Sequence, residues 1–98
     1  MLTRKRLAAE SPDRRAERQA YDRAKQAAWT RDNGQCQAAQ AWPDIECYGR
    51  VDPHHIAPTG IYPELRCVTD NIICVCRRHH DQIHHHEPLK AREAGLLK

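Results

Sequence analysis

The run Cys74-Val75-Cys76-Arg77-Arg78-His79-His80-Asp81-Gln82-Ile83-His84 decides how this chain is read. Its second half, free of Gly and Pro from Arg77 to Glu87 and stopped by Pro88, predicts a helix. On a helix His80 and His84 lie four residues apart and therefore on one face, the geometry by which a helix offers two imidazoles to one ion. Its first half, rich in aliphatic residues and Cys, predicts the end of a short strand over roughly 66–74. A second predicted strand, 50–56, carries Val51-Asp52-Pro53-His54-His55-Ile56, with Pro58 just beyond. Burying two adjacent imidazoles costs free energy unless each finds a partner. Neighbouring strand residues point to opposite faces, so His54 and His55 are expected to have different tasks unless a bend turns both inward.

Outward from this centre the chain is punctuated by turns at Pro43-Asp44, Tyr48-Gly49, Asp52-Pro53 and Thr59-Gly60, and Leu89–Leu97 reads as a final helical piece. Toward the N-terminus, Ser11 followed by Pro12 is a helix start. The stretch 13–32 places Ala16, Ala20, Ala24 and Ala28 on one stripe before Asn33-Gly34 stops it. No repeat or low-complexity linker is visible. The expected organisation is a flexible basic tail over 1–10, an N-terminal helix over 11–34, and a Cys- and His-rich domain over 35–98.

Ninety-eight residues make about one small domain, and strong core formers are scarce: Leu, Ile and Val together number fifteen, Phe is absent, and 30% of residues are charged. Such a chain needs a staple, and five Cys with seven His are the candidates. No apolar run is long enough to span a bilayer, so no membrane partner is expected. The start MLTRKRLAAE lacks the apolar stretch of a secretory signal. The expected location is therefore a reducing cytoplasm, where clustered Cys and His read as metal ligands. A disulfide-held secreted peptide is disfavoured on the same ground and by the odd Cys count. Charge is uneven: residues 1–28 hold eight Lys/Arg against four Asp/Glu, whereas 29–98 hold eight against nine. A basic arm beside a neutral, His-rich body suggests a polyanion partner, although a solvated helix with ordinary surface charge accounts for it equally well.

Taken together, His54-His55-Ile56-Ala57-Pro58, Asp70-Asn71-Ile72 and Val75-Cys76-Arg77-Arg78-His79-His80 through His84 resemble the HNH endonucleases, small ββα-metal nucleases of bacteria and their phages. The resemblance covers about residues 29–97, taking in Trp29-x-Arg31, Gly34-x-Cys36 and Pro88-x-x-Ala91-x-x-x-Gly95-Leu96-Leu97. It is strongest to compact, zinc-containing phage proteins. It implies a small α+β fold: a ββα-metal (HNH, His-Me finger) core stapled by a structural zinc, with the N-terminal helix added. It implies that His55 is the general base for water attacking a DNA phosphodiester, a task suited to a group titrating near neutrality. Asn71 would keep the base or its loop oriented. His54, His80 and His84 would hold one catalytic divalent ion (Mg²⁺, Mn²⁺, Ni²⁺ or Zn²⁺). Double-stranded DNA is the implied partner, in a bacterial host cell, with phage terminase or portal components as further partners.

The resemblance also accounts for the cysteines. Cys36 and Cys47 would form one knuckle and Cys76 with His79 the other, a Cys₃His set of a kind zinc accepts. The first pair is spaced by ten residues, so Gln37–Glu46 must loop out, and Cys74 is a rival to Cys76. Cys67 and Cys74 otherwise read as small buried thiols in a β-hairpin. Register assigns His79 to zinc and His80 to the catalytic ion, because Ile83, four residues after His79, should face the core. His85 and His86 are then surface residues, with either able to replace His84 if the helix frays before Pro88. The alternative function is a zinc-stapled DNA-binding module without catalysis, for which the basic arm alone would suffice. In either case residues 1–28 are expected to be separable from the site.

Overall fold

A computed structural model describes residues 10–98, so the tail expected over 1–10 lies, apart from Glu10, outside the described residues. The first helix, α1, spans Pro12–Asp32. Ser11 caps it by accepting the Arg14 N–H at 3.1 Å, and Pro12 occupies the first turn, where a missing N–H costs nothing. Asn33 ends it in the left-handed region (φ 55°), and the Gly34 N–H closes on the Trp29 carbonyl at 3.0 Å.

Strands β1 (Val51–His55) and β2 (Ile72–Cys76) pair antiparallel, with His54 opposite Ile73 and Pro53 opposite Cys74. Pro53 has no N–H to give, and the N–H and C=O of Cys74 point outward from the pair. There the Cys74 N–H donates to the Asp32 carboxylate at 3.0 Å and its carbonyl accepts the Gln37 N–H at 2.7 Å. The end of α1 and the loop after it thus cover an edge that would otherwise be open. Arg31 strengthens the joint, donating to both Asp32 oxygens and to the carbonyls of Thr69 and Ile72.

The strand expected over 66–74 begins later, at Ile72. Pro63–Leu65 and Thr69–Asn71 are single 3₁₀ turns, because Pro63 supplies no donor and the Asn71 side chain engages loop backbone in place of a ladder. Helix α2 is regular only over Arg77–Asp81; Gln82–His86 continue as a π-helical turn closed by the Glu87 N–H on the Gln82 carbonyl at 2.8 Å. Helix α3 spans Pro88–Glu93 and not the expected Leu89–Leu97, since Gly95 turns left-handed (φ 78°) and swings Leu96 and Leu97 inward.

Two small cores flank the sheet. On one face Ala24 and Ala28 of α1 lie against Ile72, with Tyr21 beside them. Of the expected Ala stripe only these two are buried; Ala16 is exposed. On the other face Val75 and Ile73 meet Ile83, Ala91, Leu96 and Leu97, with Ala38 and Trp42 from the 35–50 loop. The result is a small α+β fold in which α1 is one wall of the body, so removing 1–28 would strip a core face and not merely an arm.

Candidate functional site

Among the described residues two groups of ligand-type side chains converge, on different sides of α2. The first is Cys36, Cys47, Cys76 and His79. His79 Nδ1 lies 3.5 Å from Cys36 Sγ, 3.5 Å from Cys47 Sγ and 3.1 Å from Cys76 Sγ. Zinc bonds of roughly 2.3 Å to sulfur and 2.0 Å to nitrogen, set tetrahedrally, require an S···N edge of about 3.5 Å. The four residues therefore fit a zinc ion. The other ring nitrogen of His79 donates to the Ile45 carbonyl at 2.9 Å, which orients the imidazole and reserves Nδ1 for a ligand.

Local chemistry builds this site. Cys76 is the N-cap of α2 and its sulfur accepts the His79 N–H at 3.4 Å. Burial opposes ionisation of Cys76, but the backbone hydrogen bonds of His79 and Tyr48 outweigh it and bring the thiol down to about 7. Cys47 is pushed the other way, first by burial and then by Cys76 and Cys36. Neighbouring thiols thus oppose ionisation of Cys47 until a cation compensates the charge. Gly49 makes the turn after Cys47 at φ +86°, where a Cβ would lie 2.7 Å from that of Arg77. The ten-residue spacer is not idle: Trp42 from it stacks on His79 with centroids 6.1 Å apart, and its Nε1–H donates to Glu87 at 2.7 Å. Cys74 belongs to neither group. It is buried in β2, with its thiol pushed up to about 11 by burial and then by Asp32. Cys67 is half-buried outside the strands, 3.8 Å from the Glu17 carbonyl, and so is not the hairpin thiol expected of it.

The second group is His54 from β1, His80 from α2 and His84 from the π turn. Their rings meet edge to face, with centroids 5.4, 5.1 and 4.5 Å apart, and their ligand atoms lie within 4.8 Å of one another. Burial, then the neighbouring imidazoles, lowers His54 to about 4; burial first and then nearby cations lower His80 and His84 as well. All three are thus neutral near pH 7, with lone pairs free for a metal. His54 Nε2–H donates to the Leu96 carbonyl at 2.8 Å, leaving Nδ1 as its free lone pair.

His55, at the end of β1, turns its ring toward α1. Its ring stacks on Tyr21 at 5.3 Å and 28°, and its Nε2–H donates to the Arg66 carbonyl at 2.9 Å. Its lone pair is therefore on Nδ1. Asn71, buried, accepts the Ala57 N–H at 2.8 Å and donates to the carbonyls of Ala57 (3.1 Å) and Leu65 (3.3 Å). It buckles the 56–71 loop and so holds Arg66, and through it His55, in position. His54, His55, His80 and His84 line one cleft of about 310 Å³ with the Pro58–Gly60 turn as its rim. His85 and His86 are exposed, as expected.

Sequence reading missed Tyr21 and the carbonyls of Ile45, Arg66 and Leu96 that orient His79, His55 and His54. A main-chain carbonyl leaves no mark in sequence. No helix among the described residues is long and apolar enough to cross a membrane. Compared with known proteins, the chain matches no family model, no curated protein and no solved structure, so its functional reading rests on these two clusters and the cleft.

Proposed function

We propose that this protein is a metal-dependent DNA endonuclease of the HNH kind, with a ββα-metal core formed by β1, β2 and α2 and stapled by zinc at Cys36, Cys47, Cys76 and His79. One observation carries the reading: three neutral imidazoles converge in a cleft that also receives His55, a fourth imidazole whose only free nitrogen is Nδ1. A structural cluster has no need of that fourth group. Such a constellation suits hydrolysis of a phosphodiester. His55 Nδ1 takes a proton from the water that attacks phosphorus, while Arg66 and Asn71 hold the ring at the required angle. The new P–O bond forms as the P–O3′ bond breaks, and solvent water protonates the departing oxygen, leaving a 5′-phosphate and a 3′-hydroxyl. A divalent ion at His54, His80 and His84 would supply Lewis-acid stabilisation of the phosphate and of the departing 3′ oxygen. Three imidazole ligands suit a transition metal better than Mg²⁺.

The test is plasmid cleavage by zinc-loaded protein with Mg²⁺, Mn²⁺ or Ni²⁺ added in turn. His55→Ala is expected to lower the rate by about 10²–10⁴-fold with unchanged circular dichroism. If the wild type binds duplex DNA and nicks it with none of these ions, the chain is a zinc-stapled binding module and the enzyme reading is wrong.

A further inference from the structure

Tyr21 gathers more charge than its place on α1 requires. The Lys25 ammonium lies 4.4 Å from its ring centroid and the Arg66 guanidinium 4.7 Å, while His55 stacks on the same ring. Arg66 serves twice: its carbonyl holds His55 by the ring N–H, and its side chain places a positive charge over the Tyr21 ring on which His55 stacks. Lys25 comes from α1 one turn after Tyr21, so two elements distant in sequence deliver cations to one spot. Two cations held at one aromatic ring repel each other unless anions compensate. The anions present are Asp22, 3.4 Å from Lys25, and Glu17, 2.9 Å from Arg66. Both carboxylates are more than half exposed, at 53% and 59%. Ion pairs this exposed contribute roughly 0–1 kcal/mol and are screened by salt, so a more densely charged anion can replace them.

We propose that Lys25 and Arg66, collected on Tyr21 against His55, form a binding site for a backbone phosphate of duplex DNA neighbouring the one cut. The proposal rests on the nuclease reading for its geometry, since a strand whose phosphate reaches His55 must run past the groups stacked beside it. It gives α1 a direct part in gripping substrate through side chains in the folded body. Within Pro12–Asp32 six Lys/Arg face four Asp/Glu, so the helix as a whole carries little excess charge. Position, and not bulk charge, makes these two cations useful.

Binding of a fluorescein-labelled duplex DNA is measured against salt concentration, using zinc-loaded His84→Ala protein to prevent turnover. Lys25→Met and Arg66→Met, which keep much of each apolar stem, should each make the log–log slope shallower, and together by about 0.9, the share of one phosphate. Arg66→Lys and the control Arg92→Ala on α3 should leave it unchanged. Loss of slope alongside plasmid cleavage by the wild type supports both readings; loss of slope with no cleavage keeps the phosphate site and removes the nuclease. An unchanged slope with cleavage intact overturns the phosphate site alone. An equal loss in Arg66→Lys or Arg92→Ala overturns it too, as does absence of salt-dependent duplex binding.

Discussion

Asp32, a carboxylate at the end of α1, joins that helix to the edge of β2. It accepts the Cys74 N–H at the edge of β2 and the Arg31 guanidinium, and it is 9% exposed. The Arg31 hydrogen bond holds its carboxyl below the usual carboxylate range, against the opposing effect of burial. Asp32→Ala leaves the Cys74 N–H unpaired at a buried edge and should cost about 1–3 kcal/mol at neutral pH in denaturant unfolding. Because the folded-state pKa is depressed, the charge-dependent part of this stability is complete above the ordinary carboxylate value of about 4 and fades as pH falls through the lowered one. The gap between wild type and variant should therefore narrow in acid; a gap independent of pH would show that Arg31 contributes nothing through charge. Nothing in the sequence distinguishes Asp32 from Asp22 or Asp70, since its role depends on a strand about forty residues away.

At the scale of elements, α2 and the π turn sort consecutive histidines. His79 and His80 lie about 100° apart around the helix, which sends one into the Cys cluster and the other toward His54 and His84. The register argument from Ile83 anticipated this, and Ile83 is fully buried. The segment after α3 is the part that was not legible. Gly95 turns it so that Leu96 and Leu97 enter the core, the Leu96 carbonyl meets His54, and the Lys98 N–H reaches the Ile56 carbonyl at 2.8 Å. A β-branched residue is strained at that φ, so Gly95→Val should shift the Leu96 carbonyl. Loss of such an outer partner typically weakens metal binding about 10–100-fold. In a Co²⁺ titration the thiolate-to-metal absorption of the Cys₃His site should persist while binding at the three histidines weakens. Equal weakening of both sites would mean that Gly95 acts on the whole fold and not on His54.

For the whole molecule, the shortage of core formers is real. Thirteen of the fifteen Leu, Ile and Val are among the described residues, and of these the buried ones are Ile72, Val75, Ile83, Leu96 and Leu97. Cys36, Cys47, Cys76 and His79 tie the loop after α1, the loop before β1, the end of β2 and the start of α2 to one point. Stripping zinc with a strong chelator should therefore unfold the domain, because binding energy at such a site is folding energy. The expected signal is loss of near-UV circular dichroism with restoration on adding zinc; a metal-free protein that keeps its native spectrum would show the two apolar clusters to be sufficient. By itself the sequence determined the ligand types, the capped start of α1, and the i,i+4 pairing of His80 with His84, since these depend on side-chain chemistry and on geometry within one or two turns. Only the tertiary structure decided that Cys76 and not Cys74 joins the cluster, that β2 begins at Ile72, and that Tyr21, Arg66 and Leu96 orient the histidines. Those outcomes depend on strand register and on carbonyls brought together across the fold, where the contacts of one segment select the conformation of another.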